Sequence, residues 1–209
     1  MLETDLPTAA PRKTYHHGDL RQTLIAAAEA ELIEKGLEGF SLRGCAKRAG
    51  VSHAAPAHHF KDADALLSAL AAEGFDRLNA SMVEAMDAVD GDMTEKFVAS
   101  GVGYVDFACA NPALFHLMFG SRRPDHESPP LAEAGGRAFA VLTGNVATMT
   151  GRDYATDPAA GEDVIAAWAM VHGLSELLIG GKLHLPEDMP RPAFKALISA
   201  IIRRSGPKI

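Results

Sequence analysis

The chain has 209 residues, 47% of them hydrophobic, enough for one large or two small domains around a buried core. Its two cysteines, Cys45 and Cys109, stand far apart without metal-ligand spacing, which excludes a disulfide framework and suits a reducing, cytoplasmic compartment. No run of about 18 apolar residues marks a membrane span, no signal-peptide core begins the chain, and the net charge of -7 falls wholly after residue 60, where it would repel phosphates.

Residues 1–15 carry Pro7 and Pro11 and no apolar period, so a flexible arm is expected, with Arg12 and Lys13 free to enter a minor groove. A first helix follows Asp19, with Leu20, Leu24, Ile25, Ala28 and Leu32 at helical spacing and Gly36 as its stop. Next, Ser41 caps a helix from Leu42 to Ala49, and Gly50 supplies the left-handed residue that ends it. Ser52 then caps a second helix of about nine residues reaching Phe60, roughly 12 to 14 Å long and enough to cross a major groove once. Pro56 removes the amide that would bond the Ser52 carbonyl, so the first turn of that helix is expected to be loosened.

Two short helices joined by a tight turn make helix-turn-helix syntax. Between Glu38 and Asp62 there is no acidic residue, which leaves a face suited to a polyanion. The residues placed to meet DNA are Arg43, Lys47, Ser52, His53, Ala54, Ala57, His58, His59 and Lys61, with His59 equally readable as a packing partner of Phe60.

Asp62 caps a long helix to about Val89, some 42 Å at 1.5 Å per residue, a rod able to carry a tilt from body to head. A further helix starts at Thr94 with Phe97, Gly101, Tyr104, Val105 and Ala108 on one stripe, and Asn111-Pro112 opens the next. The segment from Leu114 to Phe119 is apolar on nearly every side and must be buried, as core or as a pocket wall. A polar loop from Ser121 to Pro130 precedes a helix marked by Leu131, Ala138, Phe139, Leu142 and Val146. A loop from Gly151 to Pro158 leads to a long apolar helix from Ala159 to Gly180. Pro186, Pro190 and Pro192 then introduce an amphipathic last helix with Phe194, Leu197, Ile198, Ile201 and Ile202, ending in Arg203-Arg204. The fold class is therefore all-α, about nine helices. The expected division is an arm (1–15), a helix-turn-helix domain (16–61), and a helical body (62–209).

The order Leu42-Arg43-x-x-Ala46-x-x-Ala49-Gly50-Val51-Ser52, then His59-Phe60-Lys61 and Asp62-x-x-x-Leu66-Leu67, resembles the DNA-binding domain of the tetracycline-repressor (TetR) family. Tyr15-His16-His17-Gly18-Asp19-Leu20-Arg21 looks like the start of one of its branches, and Trp168-x-x-x-His172-Gly173 resembles that branch's C-terminal motif. The resemblance implies a ligand-responsive transcriptional regulator, usually a repressor, and makes the body, residues 62–209, an effector-binding and dimerisation domain. Such a regulator binds a near-palindromic operator in double-stranded DNA as a homodimer joined by its last two helices, and a small effector releases it. Many members carry a tyrosine against phosphate where Ala57 stands, so His58 and Lys61 are the expected substitutes here.

A pocket would be walled by Tyr104, Phe115, Met118, Trp168 and His172, which favours an uncharged, apolar effector. No Gly-rich phosphate loop, Ser-centred elbow or Cys-His array is present, so neither an enzyme nor a cofactor is expected. The doublets His16-His17 and His58-His59 diverge by about 100° on a helix and chelate a metal poorly. The alternative reading is a helical ligand- or partner-binding protein whose helix-turn-helix no longer reads DNA.

Overall fold

The computed structural model describes residues 17–186 and 188–206, so the expected arm at 1–15, with Arg12 and Lys13, and the start of the Tyr15-to-Arg21 motif lie outside the described residues. Eight α-helices and one 3-10 turn follow in order, and among the described residues there is no strand. They are α1 (His17–Gly39), α2 (Leu42–Arg48), the 3-10 turn (Ala55–His58), α3 (Ala63–Asp87), α4 (Met93–Ala110), α5 (Pro112–Gly120), α6 (Pro129–Thr150), α7 (Pro158–Ile179) and α8 (Arg191–Ser205). Among the described residues no helix is long and apolar enough to cross a membrane.

Local capping chemistry accounts for most of the boundaries. Ser41 Oγ accepts from the Gly44 amide at 3.0 Å and starts α2. At its other end Gly50 takes φ 68°, the Gly50 amide donates to the Lys47 carbonyl, and the Val51 amide reaches back to the Ala46 carbonyl at 3.0 Å, a Schellman closure. Asp62 accepts from the Ala65 amide at 2.8 Å to start α3, and Asp92 accepts from the Glu95 amide at 3.0 Å, so α4 begins at Met93 rather than Thr94. Gly36 (φ 67°, ψ 179°) does break α1, but one further turn, Leu37 to Gly39, continues beyond the kink.

The second helix of the helix-turn-helix (residues 41–61, the candidate reading unit) departs from expectation. In place of a nine-residue α-helix capped by Ser52, residues 55–58 form a 3-10 turn with no side-chain cap. Pro56 has no amide for the Ser52 carbonyl and its ring crowds that carbonyl, so the Ala55 amide takes the bond instead, three residues on, at 3.0 Å. The tighter register then persists, with the Ala57 amide on the Ala54 carbonyl and the His59 amide on the Pro56 carbonyl. Pro56 itself is buried, so its ring anchors the turn from beneath.

The core is continuous from the first helix to the last: Leu24, Ala28 and Phe60 join Leu66, Leu70 and Leu78 of α3, and these join Val105, Phe115, Val164 and Ile202. The rod α3, 25 residues and so about 37 Å long, lies at its centre. It crosses α4 closely at Gly103, where a Cβ would sit 2.5 Å from the Ser81 carbonyl oxygen and where Ser81 Oγ donates to the Gly103 carbonyl at 2.9 Å. Polar ties also join α1 to α3. Gln22 donates to Glu73 at 2.8 Å, and Arg77 donates both to Glu29 at 2.7 Å and to the Asn111 side chain.

Candidate functional site

Two surfaces carry the candidate functional residues. The first is the reading unit. Arg43 and Lys47 are exposed on α2, and Ser52, His53, Ala54, Ala57 and His58 are exposed on and before the 3-10 turn. Lys61 is 87% exposed, with the Asp62 carboxylate 3.7 Å away. His59 is half-buried with its ring tilted against Phe60, 6.5 Å between centroids, so its packing reading has geometric support. Arg21 of α1 lies over the opposite side of this region, its guanidinium carbon 5.4 Å from the centre of the Phe60 ring. Sequence marks Arg21 only as the end of the Tyr15-to-Arg21 motif; the position of Phe60 reveals it as a further cation beside the turn.

Arg48 behaves differently from the other cations. Its Nε donates to Glu31 at 2.5 Å and its Nη2 donates to Glu34. Lys35 and Arg48, both hydrogen-bonded to Glu34, hold its carboxyl far down, at about 2. Glu31 is buried, and Gly44 makes room for it, since a Cβ at Gly44 would lie 1.9 Å from Glu31 Oε1. The stretch free of carboxylates in sequence is therefore not free of them in space: α1 neutralises Arg48, which locks α2 onto α1.

The second surface is internal. A cavity of about 470 Å³ runs between α3, α4, α5, α6, α7 and α8. Tyr104, Met118 and Trp168 line it, joined by Phe75, Phe97, Phe119 and Phe139, and among the described residues no Lys, Arg, Asp or Glu is in its walls. It opens near Trp168, which is 40% exposed, and near His126 on the loop after α5. Phe115 and His172 sit one layer behind the wall. The Phe115 ring supports Phe119 at 4.9 Å, and His172 Nδ1 is 2.9 Å from the Tyr104 hydroxyl. Burial pushes the Tyr104 hydroxyl well above its usual range and pulls His172 below 6.5, so both groups stand neutral at pH 7. The polar handles at the wall are thus hydroxyl, indole and imidazole groups: Ser100, Tyr104, Trp168 and His126. Helical spacing could not have found Phe75, Phe139 or Gly135, because it marks a face as buried without saying whether that face meets a neighbour or a void.

A third feature bears on assembly. Ile198, expected at a seam between copies, is buried to 1% inside the single chain, because α8 closes over the cavity with Ile202. Among the large apolar side chains left exposed, Ile33 is on α1 and Val83 on α3, while α7 carries Ile165, 63% exposed, and Leu177, 45% exposed.

Residues 24–70 match the family model of bacterial regulatory proteins of the tetR family, and residues 97–201 match that of the tetracyclin repressor-like C-terminal domain. A solved protein of unknown function from Rhodococcus sp. RHA1 is 34% identical, covers 94% of this chain and 100% of its own, and superposes with a TM-score of 0.75. A transcriptional regulator from Rhodococcus sp. Rha1 is 28% identical over 88% of this chain and 95% of its own, TM-score 0.66. An HTH-type transcriptional regulator of Mycobacterium tuberculosis is 26% identical over 132 residues, 60% of this chain, and that match spans little more than half, 56%, of the relative.

Proposed function

The chain belongs to the tetR family of bacterial regulatory proteins, and from that membership we propose that it is a cytoplasmic, ligand-responsive repressor. Residues 16–61 form the DNA-binding domain and residues 62–209 the effector-binding and dimerisation domain. The observation that carries the reading is the pairing of the two surfaces on one rod: α3 starts beside Lys61 and runs to the cavity, which it lines with Phe75, Leu78 and Met82. Arg43, Lys47, Ser52, His58 and Lys61 hold phosphates, while His53, Ala54 and Ala57 face base edges. A reading turn this short contacts few base pairs, so two copies bind successive major grooves about 34 Å apart on a near-palindromic operator. The copies join through α7, whose exposed Ile165 and Leu177 supply an apolar seam.

The effector is a small uncharged apolar molecule. A 470 Å³ space walled by aromatic rings and without Lys, Arg, Asp or Glu among its lining would leave most charged ligands unpaired and desolvated. Its binding releases DNA to the extent that it prefers one arrangement of the reading units over the other, ordinarily a 5- to 150-fold change (about 1 to 3 kcal/mol). The test is a mobility-shift assay on the DNA flanking the protein's own gene, with and without N-phenyl-1-naphthylamine, an uncharged fluorescent apolar probe. The absence of any shifted complex would favour the alternative, a ligand- or partner-binding protein that no longer reads DNA. The 3-10 turn, shorter than a full recognition helix, is what gives that alternative weight.

A further inference from the structure

One guanidinium grips both ends of the reading unit. Arg123 lies on the loop between α5 and α6. Its Nη1 donates to the Leu37 carbonyl at 2.8 Å, its Nε donates to Asp64 at 2.8 Å, and it lies over the Phe40 ring at 5.8 Å. Leu37 and Phe40 come just before α2 and Asp64 just after Lys61, so these contacts bracket residues 41–61. The Leu37 carbonyl is one of the last four of α1, which have no partner within the helix. The last turn of α1 has no basic residue of its own, and Arg123 supplies the missing cation from 86 residues away. The same loop is fastened to α3, where the Asp125 amide donates to Ser68 Oγ at 2.9 Å and that hydroxyl donates to the Asp64 carbonyl at 2.7 Å.

The end of α5 and the loop that follows it both line the cavity. Phe119, four residues before Arg123, and His126, three residues after it, both line the space, and the buried Pro124 stiffens the link between them. An occupant that displaces either wall residue therefore acts on the segment that carries Arg123.

We propose that Arg123 is a positioning residue: through it, occupancy of the cavity sets the angle of residues 41–61 against α3. The inference rests on the cavity being the effector site. Without Arg123 an occupant would still bind, but the reading unit would no longer respond to it.

Hydrogen exchange followed by mass spectrometry on the full chain tests this with two occupants: N-phenyl-1-naphthylamine, and a built-in one, Gly135→Phe, since a Cβ at Gly135 meets nothing within 4 Å. Either occupant should change exchange at amides 37–41 and 62–66 by about fivefold or more, the lower end of ordinary coupling. In Arg123→Gln the probe should bind with unchanged affinity while those amides no longer respond, and Asp64→Ala, which removes the acceptor for Arg123 Nε, should respond partly. An undiminished response in Arg123→Gln would overturn the proposal, as would silence of these amides in wild type with probe bound. If wild type takes up no probe, the apolar-effector reading fails by itself. The comparison of Gly135→Phe with Gly135→Phe/Arg123→Gln then decides the role of Arg123, a response that needs Arg123 supporting it and no difference overturning it.

Discussion

The Tyr104 hydroxyl on α4 and His172 Nδ1 on α7 meet at 2.9 Å, and this bond ties together the two helices that frame the cavity on either side. Burial of His172 lowers its pKa in the folded chain below the ordinary value near 6.5. The unfolded chain therefore binds a proton more readily than the folded one as pH falls through 6.5. The stability held by this histidine is complete above that pH and is lost below it. Thermal melts between pH 7.5 and 5.5 should show wild type losing more stability than His172→Gln. Parallel losses in the two proteins would mean that His172 does not titrate differently on folding.

At the reading unit, cations of one charge should divide into two kinds. Arg43 and Lys61 are exposed, and Ala at either position should weaken DNA binding and reduce the slope of log affinity against log salt by about one each, with the melting temperature unchanged. Arg48 is committed to Glu31 and Glu34, so Arg48→Ala should strand the buried Glu31 carboxylate and lower the melting temperature. Paired melting and mobility-shift measurements on the three variants separate these outcomes. A normal melting temperature for Arg48→Ala would contradict the division.

That division shows where the sequence was legible and where it was not. Ser41, Gly50 and Asp62 could be placed because a cap depends on residues within three or four positions of it. Pro56 could be identified as a fault, but its consequence depended on the Ala55 amide capturing the Ser52 carbonyl and holding the whole turn in the 3-10 register, which is a competition between registers. Arg48 could not be told apart in sequence from its neighbours Arg43 and Lys47, because its partners are 14 and 17 residues away, across a helix crossing. The same limit applied to Ile198 and Phe115: both were correctly placed on apolar faces, but which side of the wall each occupies is fixed by how six helices enclose the cavity.

Assembly gives a third expectation. Ile165 and Leu177 are exposed in the single chain, so changing both to Asp should abolish an α7 seam without removing anything from the core. Light scattering should report monomers, with helical circular dichroism unchanged. Ile198→Asp should instead unfold the chain, because it buries a charge at a site 1% exposed. A dimer that survives the double substitution would place the seam elsewhere.

Gly135 offers the most selective probe of the cavity. It lies inside α6, lines the cavity, and has open space where a Cβ would project. A helix-interior glycine costs roughly 0.5 to 1 kcal/mol relative to alanine, so Gly135→Ala should stabilise the protein by about that amount. Larger side chains keep the gain in backbone entropy while taking up ligand volume, so Gly135→Leu should melt no lower than wild type and yet take up less N-phenyl-1-naphthylamine. Binding that falls in the order Gly, Ala, Leu with no loss of melting temperature separates occlusion from misfolding, since a damaged fold would lower both together. Uptake that stays the same across the series would remove Gly135 from the binding wall and move the ligand toward the side walled by Phe97 and Ile202.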